Sequence, residues 1–290
     1  MKKTAVLVFN PGSGKDNISK EELIQQLQLN LEGFDLAIFE ISGEGVVERL
    51  TEIFAQVKPE LVIIAGGDGT IKLTTDCLKS KITMAVLPLG SANGLAKCLG
   101  ISNLEEGLQA LQKMKILKMD GVQIDDELCL HLADFGFNAS MIHHFEQNDT
   151  RGMLGYIKSS IREVFTTKSA RFRIETESES IDLEAKMLVI ANGEEYGTGA
   201  VINTEGEIND GKFEVIAVDY STAGDLISIT KGLVTGEHQG HSAVKTWSME
   251  SCKITNLDLA NFQIDGELRG NPEIIHVNIK KAAFDFVINS

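Results

Sequence analysis

Up to about residue 118 the chain alternates short, unbroken apolar runs with segments whose apolar residues recur at helical spacing. Runs at residues 4–9, 36–41, 61–64 and 84–87 have the length and continuity of strands buried in a parallel sheet. Between them, Ser19 and Glu22 form a capping box ahead of Leu23, Ile24, Leu27 and Leu31, which share one helical face. Ser42-Gly43-Glu44-Gly45 turns into a second helix carrying Val46, Leu50, Ile53, Phe54 and Val57. Asn103 and Glu106 open another, with Leu104, Leu108 and Leu111 inward. Strands alternating with helices predict a right-handed parallel α/β layer. After Asp120 the period changes. Phe172/Ile174, Ile181/Leu183/Ala185/Met187, Phe213/Val215/Ala217, Phe262/Ile264 and Phe284/Phe286/Ile288 alternate with polar or charged neighbours. Period-two patterning predicts antiparallel strands with one wet face, so the second half is mostly β and compatible with a sandwich.

The run at 61–64 leads straight into Ala65-Gly66-Gly67-Asp68-Gly69-Thr70, followed by a polar segment of helical character. Glycines allow a sharp turn and close backbone approach to a ligand. A turn that opens into a helix presents free N–H groups to an anion such as phosphate. Asp68 adds a carboxylate, and with it a metal partner, beside that phosphate. A tight turn with no ligand is the alternative, and it would suffice for a lone Gly-Gly. The first strand ends in Asn10-Pro11-Gly12-Ser13-Gly14-Lys15, which lacks the glycine spacing of a nucleoside-triphosphatase phosphate loop. Alone, it is as compatible with an ordinary turn as with a site. The fourth run ends in Pro88-Leu89-Gly90-Ser91-Ala92-Asn93-Gly94, another small and polar loop. In a parallel layer all these loops meet at the carboxyl edge of the sheet, where α/β folds bind ligands.

A length of 290 residues allows two domains or one large one, and 43% hydrophobic with 24% charged residues is ordinary for a soluble globular protein. The net charge of −15 argues against nucleic acid as a partner and disfavours non-specific adhesion to anionic membranes. Cys77, Cys98, Cys129 and Cys252 are scattered without metal-ligand spacing, which suits reduced thiols in a cytoplasm. The N-terminal apolar run is stopped by Asn10-Pro11-Gly12, too early for a signal peptide, and no 18-residue apolar stretch occurs. One helix is expected in the second half: Leu154, Ile157, Ile161, Val164 and Phe165 share a face, and Arg151, Lys158 and Arg162 another. Lys168, Arg171 and Arg173 continue the basic run. A solvated face is its first reading, and a docking surface for lipid headgroups its second. His143, His144, His238 and His241 have no partner at metal spacing and read as structural or surface residues.

With Asn192, Asp210-Gly211 and Asp265-Gly266-Glu267 following the three loops in order, the chain resembles the diacylglycerol kinase catalytic family. These are bacterial lipid kinases, with sphingosine kinases and NAD kinases as more distant relatives. The resemblance covers nearly the whole chain. It implies an α/β nucleotide-binding domain over residues 1–120, joined by 277–290, and a β-sandwich substrate domain over 121–276, with the active site between them. It implies ATP phosphates against Gly66, Gly67, Asp68, Gly69 and Thr70, with Asn10, Pro11, Gly12, Ser13, Gly14, Ser42, Ser91 and Asn93 lining the nucleotide site. Asp68, Asp265 and Glu267 are then the catalytic residues, with Glu267 as proton acceptor. Asp210 corresponds to a position that helps hold a structural Mg²⁺ in bacterial members, with Glu207 and Lys212 able to add backbone carbonyls. From the residues alone, Asp265-Gly266-Glu267 reads as a β-turn between strands.

The chain departs from the family where Lys72 and Leu73 replace the usual Asn-Glu, Gly94 replaces an Asp and Asn138 replaces another. Lys72 is a candidate phosphate contact, and Asp134 a substitute acid or a structural residue. The resemblance implies an ATP- and Mg²⁺-dependent kinase acting on a hydroxyl of diacylglycerol or a related lipid. The expected partners are ATP, the lipid and a transient peripheral membrane contact; a homodimer is compatible with the sequence. The implied location is the cytoplasm, including the inner face of the membrane. An NAD kinase is the other enzyme reading, opposed by the 10–14 loop and Asp265-Gly266-Glu267. A regulatory member with weak catalysis is motivated by the missing acids and opposed by Asp68 and Glu267.

Overall fold

The computed structural model describes residues 2–13, 18–136, 168–192, 206–220, 225 and 242–289. The chain forms two compact units, one from the residues up to Asp120 and from Lys281 onward, the other from those between Gly121 and Lys280.

The first unit alternates β1 (Lys3–Phe9), α1 (Lys20–Asn30), β2 (Phe34–Glu40), α2 (Val46–Val57), β3 (Leu61–Gly66), α3 (Asp68–Cys77), β4 (Thr83–Pro88), α4 (Gly94–Cys98) and α5 (Leu104–Lys113). The strands pair in parallel in the order β2, β1, β3, β4. The end of the last strand, β16 (Ile274–Ile288), continues the layer beside β4, with Asp285 opposite Thr83. β3 is buried at every position, as its apolar run predicts. The capping box at Ser19 forms, with Glu22 N–H on Ser19 Oγ and Ser19 N–H on Glu22 Oε2. Asn103 caps α5 through Glu106 N–H. Parallel direction places the ends of β1, β2, β3 and β4 on one edge.

The second unit holds two antiparallel sheets. One contains β8 (Ala170–Glu175), β9 (Ser180–Ala185), β13 (Ser251–Asn256) and the start of β16; β5 (Lys115–Ile124) pairs with β16 and with β6 (Glu127–Cys129). The other runs β12 (Val244–Met249), β11 (Phe213–Val218), β10 (Met187–Ala191), β7 (Leu132–Gly136), β14 (Phe262–Ile264), β15 (Glu267–Leu268). Phe135, Phe172, Phe213, Phe262, Ile174 and Ile254 come from both sheets into one core, so the arrangement is a sandwich. Phe135 stacks on Phe262 at 4.4 Å, and each buried phenylalanine contributes roughly 1.5–3 kcal/mol.

Two expectations change. The alternation at Ile181/Leu183/Ala185/Met187 reads as one strand, but the chain leaves one sheet after Ala185 and enters the other at Met187, turning at Lys186. The expected wet face of residues 213–217 is absent, because β11 is buried on both sides. Its second face, Ile216 and Val218, joins Val189, Ala191 and Tyr220 in a separate apolar cluster.

The basic helix is corrected at its end. Arg171 and Arg173 lie on strand β8, where Arg171 grips Asp258 with Nη2–Oδ1 at 2.7 Å and Arg173 pairs with Asp182 at 2.7 Å. Their charges are thereby matched. Arg151, Lys158, Arg162, Asn138, His143, His144, His238 and His241 lie outside the described residues. Among the described residues, no helix is long and apolar enough to cross a membrane.

Candidate active site

The edge of the first unit is built by loops that hold one another. Asn10 N–H reaches Ala65 O at 3.0 Å and Leu89 N–H reaches Gly66 O at 3.0 Å, so the ends of β1 and β4 flank the end of β3. Asn10 Nδ2 donates to Thr70 Oγ1 at 2.9 Å, while its Oδ1 accepts from Gly12 N–H at 3.0 Å. Ser13 Oγ closes the same turn on Asn10 O at 2.7 Å. Both ends of the Asn10 amide are thus engaged within the unit. Pro11 and Gly12 are exposed, and Gly14 lies outside the described residues.

The glycines divide by role. A Cβ on Gly66 would stand 2.4 Å from Thr70 Oγ1, and one on Gly90 would stand 2.5 Å from Gly67 Cα. These glycines let the loops pack on each other, a requirement that stands without any ligand. Gly69 differs: a Cβ there meets nothing within 4 Å. It lies in the first turn of α3, whose N-cap, Gly67, brings no side-chain acceptor. The first amides of that helix are the anion-seeking part of the loop.

Asp68 reaches across to the third loop. Its Oδ2 accepts from Gly94 N–H at 3.0 Å and its Oδ1 from Leu95 N–H at 3.1 Å, which caps the start of α4. A carboxylate has about four lone-pair sites, so each oxygen keeps acceptor capacity beyond these bonds. Asn93 precedes α4 in the left-handed region at φ 53, gives Nδ2 to Gly90 O at 2.7 Å, and has a buried Oδ1 with no partner among the described residues. Ser91 and Ser42 are exposed, and the Ser42 carbonyl accepts from Arg49. Lys72 is only 3% exposed and directs its ammonium to Asp76 at 2.9 Å; an ion pair occupies the group named above as a candidate phosphate contact.

In the second unit Asp265 and Gly266, at φ 49 and 90, form a turn of type I′ form between β14 and β15. The Asp265 carboxylate accepts N–H groups from Leu130 at 2.8 Å, His131 at 2.9 Å and Leu132 at 3.3 Å, and the Cys129 thiol at 3.4 Å. Asn192 holds the same corner through Leu130 O at 3.4 Å and His131 O at 3.0 Å. Asp134 is fully buried and accepts from Gln263, whose Oε1 takes Gly266 N–H at 2.7 Å. Its place is structural. Glu267 is exposed beyond the turn and accepts from Arg269 Nη2 at 2.7 Å. Arg269 also grips Glu127, at 2.6 and 2.7 Å, and the Glu127 hydrogen bond chiefly raises its pKa above the ordinary arginine value. Sequence reasoning missed both partners. Arg269 has a signal in being only two residues from Glu267; Glu127 has none.

Asp210 Oδ1 accepts Lys212 N–H at 2.9 Å, and Glu207 O accepts Asp210 N–H at 3.5 Å, closing an exposed turn. One carboxylate with backbone carbonyls is a hard-oxygen set of the kind Mg²⁺ takes. Among the described residues, no group of at least three His, Cys, Asp or Glu side chains could hold a metal ion.

The diacylglycerol kinase catalytic domain matches residues 4–124, and the YegS C-terminal NAD kinase beta sandwich-like domain matches residues 132–281. A diacylglycerol kinase of Staphylococcus aureus (strain bovine RF122 / ET3-1) is 22% identical over 289 residues, covering 97% of this chain and 91% of that protein. The crystal structure of a diacylglycerol kinase from Bacillus anthracis aligns with TM-score 0.70 at 18% identity, covering 99% of this chain and 97% of that one. An NAD kinase from Archaeoglobus fulgidus, solved in complex with ATP, shares the fold at TM-score 0.57 and 14% identity, covering 99% and 94% of the two chains. With both halves matched in order, the chain belongs to the diacylglycerol kinase family.

Proposed function

We propose that the protein is an ATP- and Mg²⁺-dependent lipid kinase that transfers the γ-phosphate to a hydroxyl of diacylglycerol or a related lipid. The observation that carries this reading is the interlocked edge of the first unit, where Asn10, Thr70 and Asp68 fix three loops around the open start of α3. Phosphoryl transfer needs placed phosphates, neutralised charge and an aimed hydroxyl, and little covalent help. The α3 amides beside Gly69 take the phosphates. Asp68 keeps the Gly94 loop in register with them. A structural Mg²⁺ would be held by Asp210 with the carbonyls of Glu207 and Lys212, and Mg²⁺ bound with the nucleotide beside Asp68 would neutralise phosphate charge. Glu267 accepts the proton of the acceptor hydroxyl as its oxygen bonds to phosphorus and the bond to the β-phosphate oxygen breaks, leaving ADP and a phosphomonoester. A lipid substrate brings a transient membrane contact with it.

Two substitutions test the assignment. Asp68→Ala and Glu267→Ala should each abolish transfer from ATP to diacylglycerol in mixed micelles while the protein keeps its cooperative melt. Near-normal turnover in either refutes the role given to that residue.

A further inference from the structure

Glu267 opens a strand of two residues just past the Asp265-Gly266 turn, and its side chain is 61% exposed. Left alone, an exposed glutamate samples many rotamers, and ordering it at the moment of reaction opposes catalysis. Arg269, two positions on, meets Glu267 Oε2 through Nη2 at 2.7 Å. Its own place is set elsewhere: Nε and Nη2 form a two-point grip on Glu127 at 2.6 and 2.7 Å, and Nη1 donates to Leu268 O at 3.2 Å. A guanidinium held bidentately has a fixed plane, so Glu267 comes to Arg269 and not the reverse. Glu127 belongs to β6, which runs into the corner that Asp265 clamps. Glu267 thus sits between two ties joining the same pair of segments. Its Oε1 makes no hydrogen bond among the described residues. With two carboxylates on one guanidinium, Arg269 is not left over for a phosphate.

We propose that Arg269 is a positioning residue for the acceptor step, held by Glu127 so that it fixes Glu267 and leaves Oε1 to the acceptor hydroxyl. This rests on Glu267 being the proton acceptor. Because the transition state for phosphoryl transfer is loose, orientation of the hydroxyl counts for more than the strength of the base. Misplacing a reacting group by an ångström costs up to about 10²-fold.

The test uses the full-length protein, dioleoylglycerol in mixed micelles and labelled ATP. Arg269→Gln should lower kcat by roughly 10- to 100-fold with the KM for ATP within about twofold. Arg269→Lys should recover part of the loss, and free guanidinium should restore turnover to Arg269→Ala. Glu127→Gln should lower kcat alone but cost nothing further in the Arg269→Gln background, because both act through one contact. A merely structural arginine would give neither guanidinium rescue nor that coupling. Glu267→Gln is the separating control. If it keeps wild-type turnover, or if wild type leaves dioleoylglycerol unphosphorylated, the reading of Glu267 as acceptor for this lipid falls and the proposal with it. If Glu267→Gln is inactive while Arg269→Gln keeps kcat within twofold, only the positioning role is overturned.

Discussion

Replacing Asp265 by Asn tests whether its carboxylate clamps the 130–132 corner. The carboxylate holds the N–H groups of Leu130, His131 and Leu132 at 2.8, 2.9 and 3.3 Å. Asparagine tolerates the left-handed backbone at this position, so the turn survives and only the acceptor changes. Its amide then points a donor at Leu130 N–H, whose residue is 3% exposed. Losing one charge-assisted bond costs about 2 kcal/mol, and weakening the other two adds roughly 1, for a total near 3 kcal/mol. Trp247 is the one tryptophan in the chain and packs against the sandwich core, so its fluorescence follows the second unit. With a urea m-value of about 2 kcal/mol/M, the midpoint should fall by roughly 1.5 M. An unchanged midpoint would show that Asp265 does not secure the 130–132 corner, and the clamp would be wrong.

Further outcomes follow from the same contacts. Gly90→Ala must displace the Gly67 backbone 2.5 Å away and should cost at least about 1–3 kcal/mol, weakening ATP binding as well. Gly69→Ala meets open space and should raise stability by roughly 0.5–1 kcal/mol while still weakening ATP binding; calorimetry showing wild-type affinity would remove the phosphates from that helix start. The Asp258 carboxyl is held down at about 2 by the side-chain and backbone hydrogen bonds of Arg171. A depressed carboxyl stabilises fully above its unfolded pKa and loses that contribution as pH falls toward its folded one. The stability of Asp258→Asn should therefore fall less steeply than wild type between about pH 4 and pH 2.

What was legible in the chain was what local pattern controls. The unbroken run ending at Ile64 marks a strand buried on both faces, and parallel topology then gathers the loops at one edge. The Asp265-Gly266 pair reads as a turn and is one. The missing part is non-local. Asp68 meets amides 26 and 27 residues away, Asp265 meets amides more than 130 away, and Arg269 finds Glu127 at a separation of 142. Backbone N–H groups carry no residue identity, so no motif announces them as partners. The glycines at 66, 67 and 90 do not announce their role for a related reason. A residue without a side chain looks the same whether it makes room for a phosphate or for another loop. The second buried face of β11 is equally non-local, since Val189, Ala191 and Tyr220 supply it.

The acceptor decides what this kinase does, and following the γ-phosphate identifies it. Purified protein is incubated with Mg²⁺, ATP labelled at the γ-phosphate, and either diacylglycerol in mixed micelles or NAD in solution, and the label is followed into each acceptor. Label should enter the lipid and none should enter NAD. Label in NAD, or ATP bound without transfer to either acceptor, would contradict the lipid kinase reading.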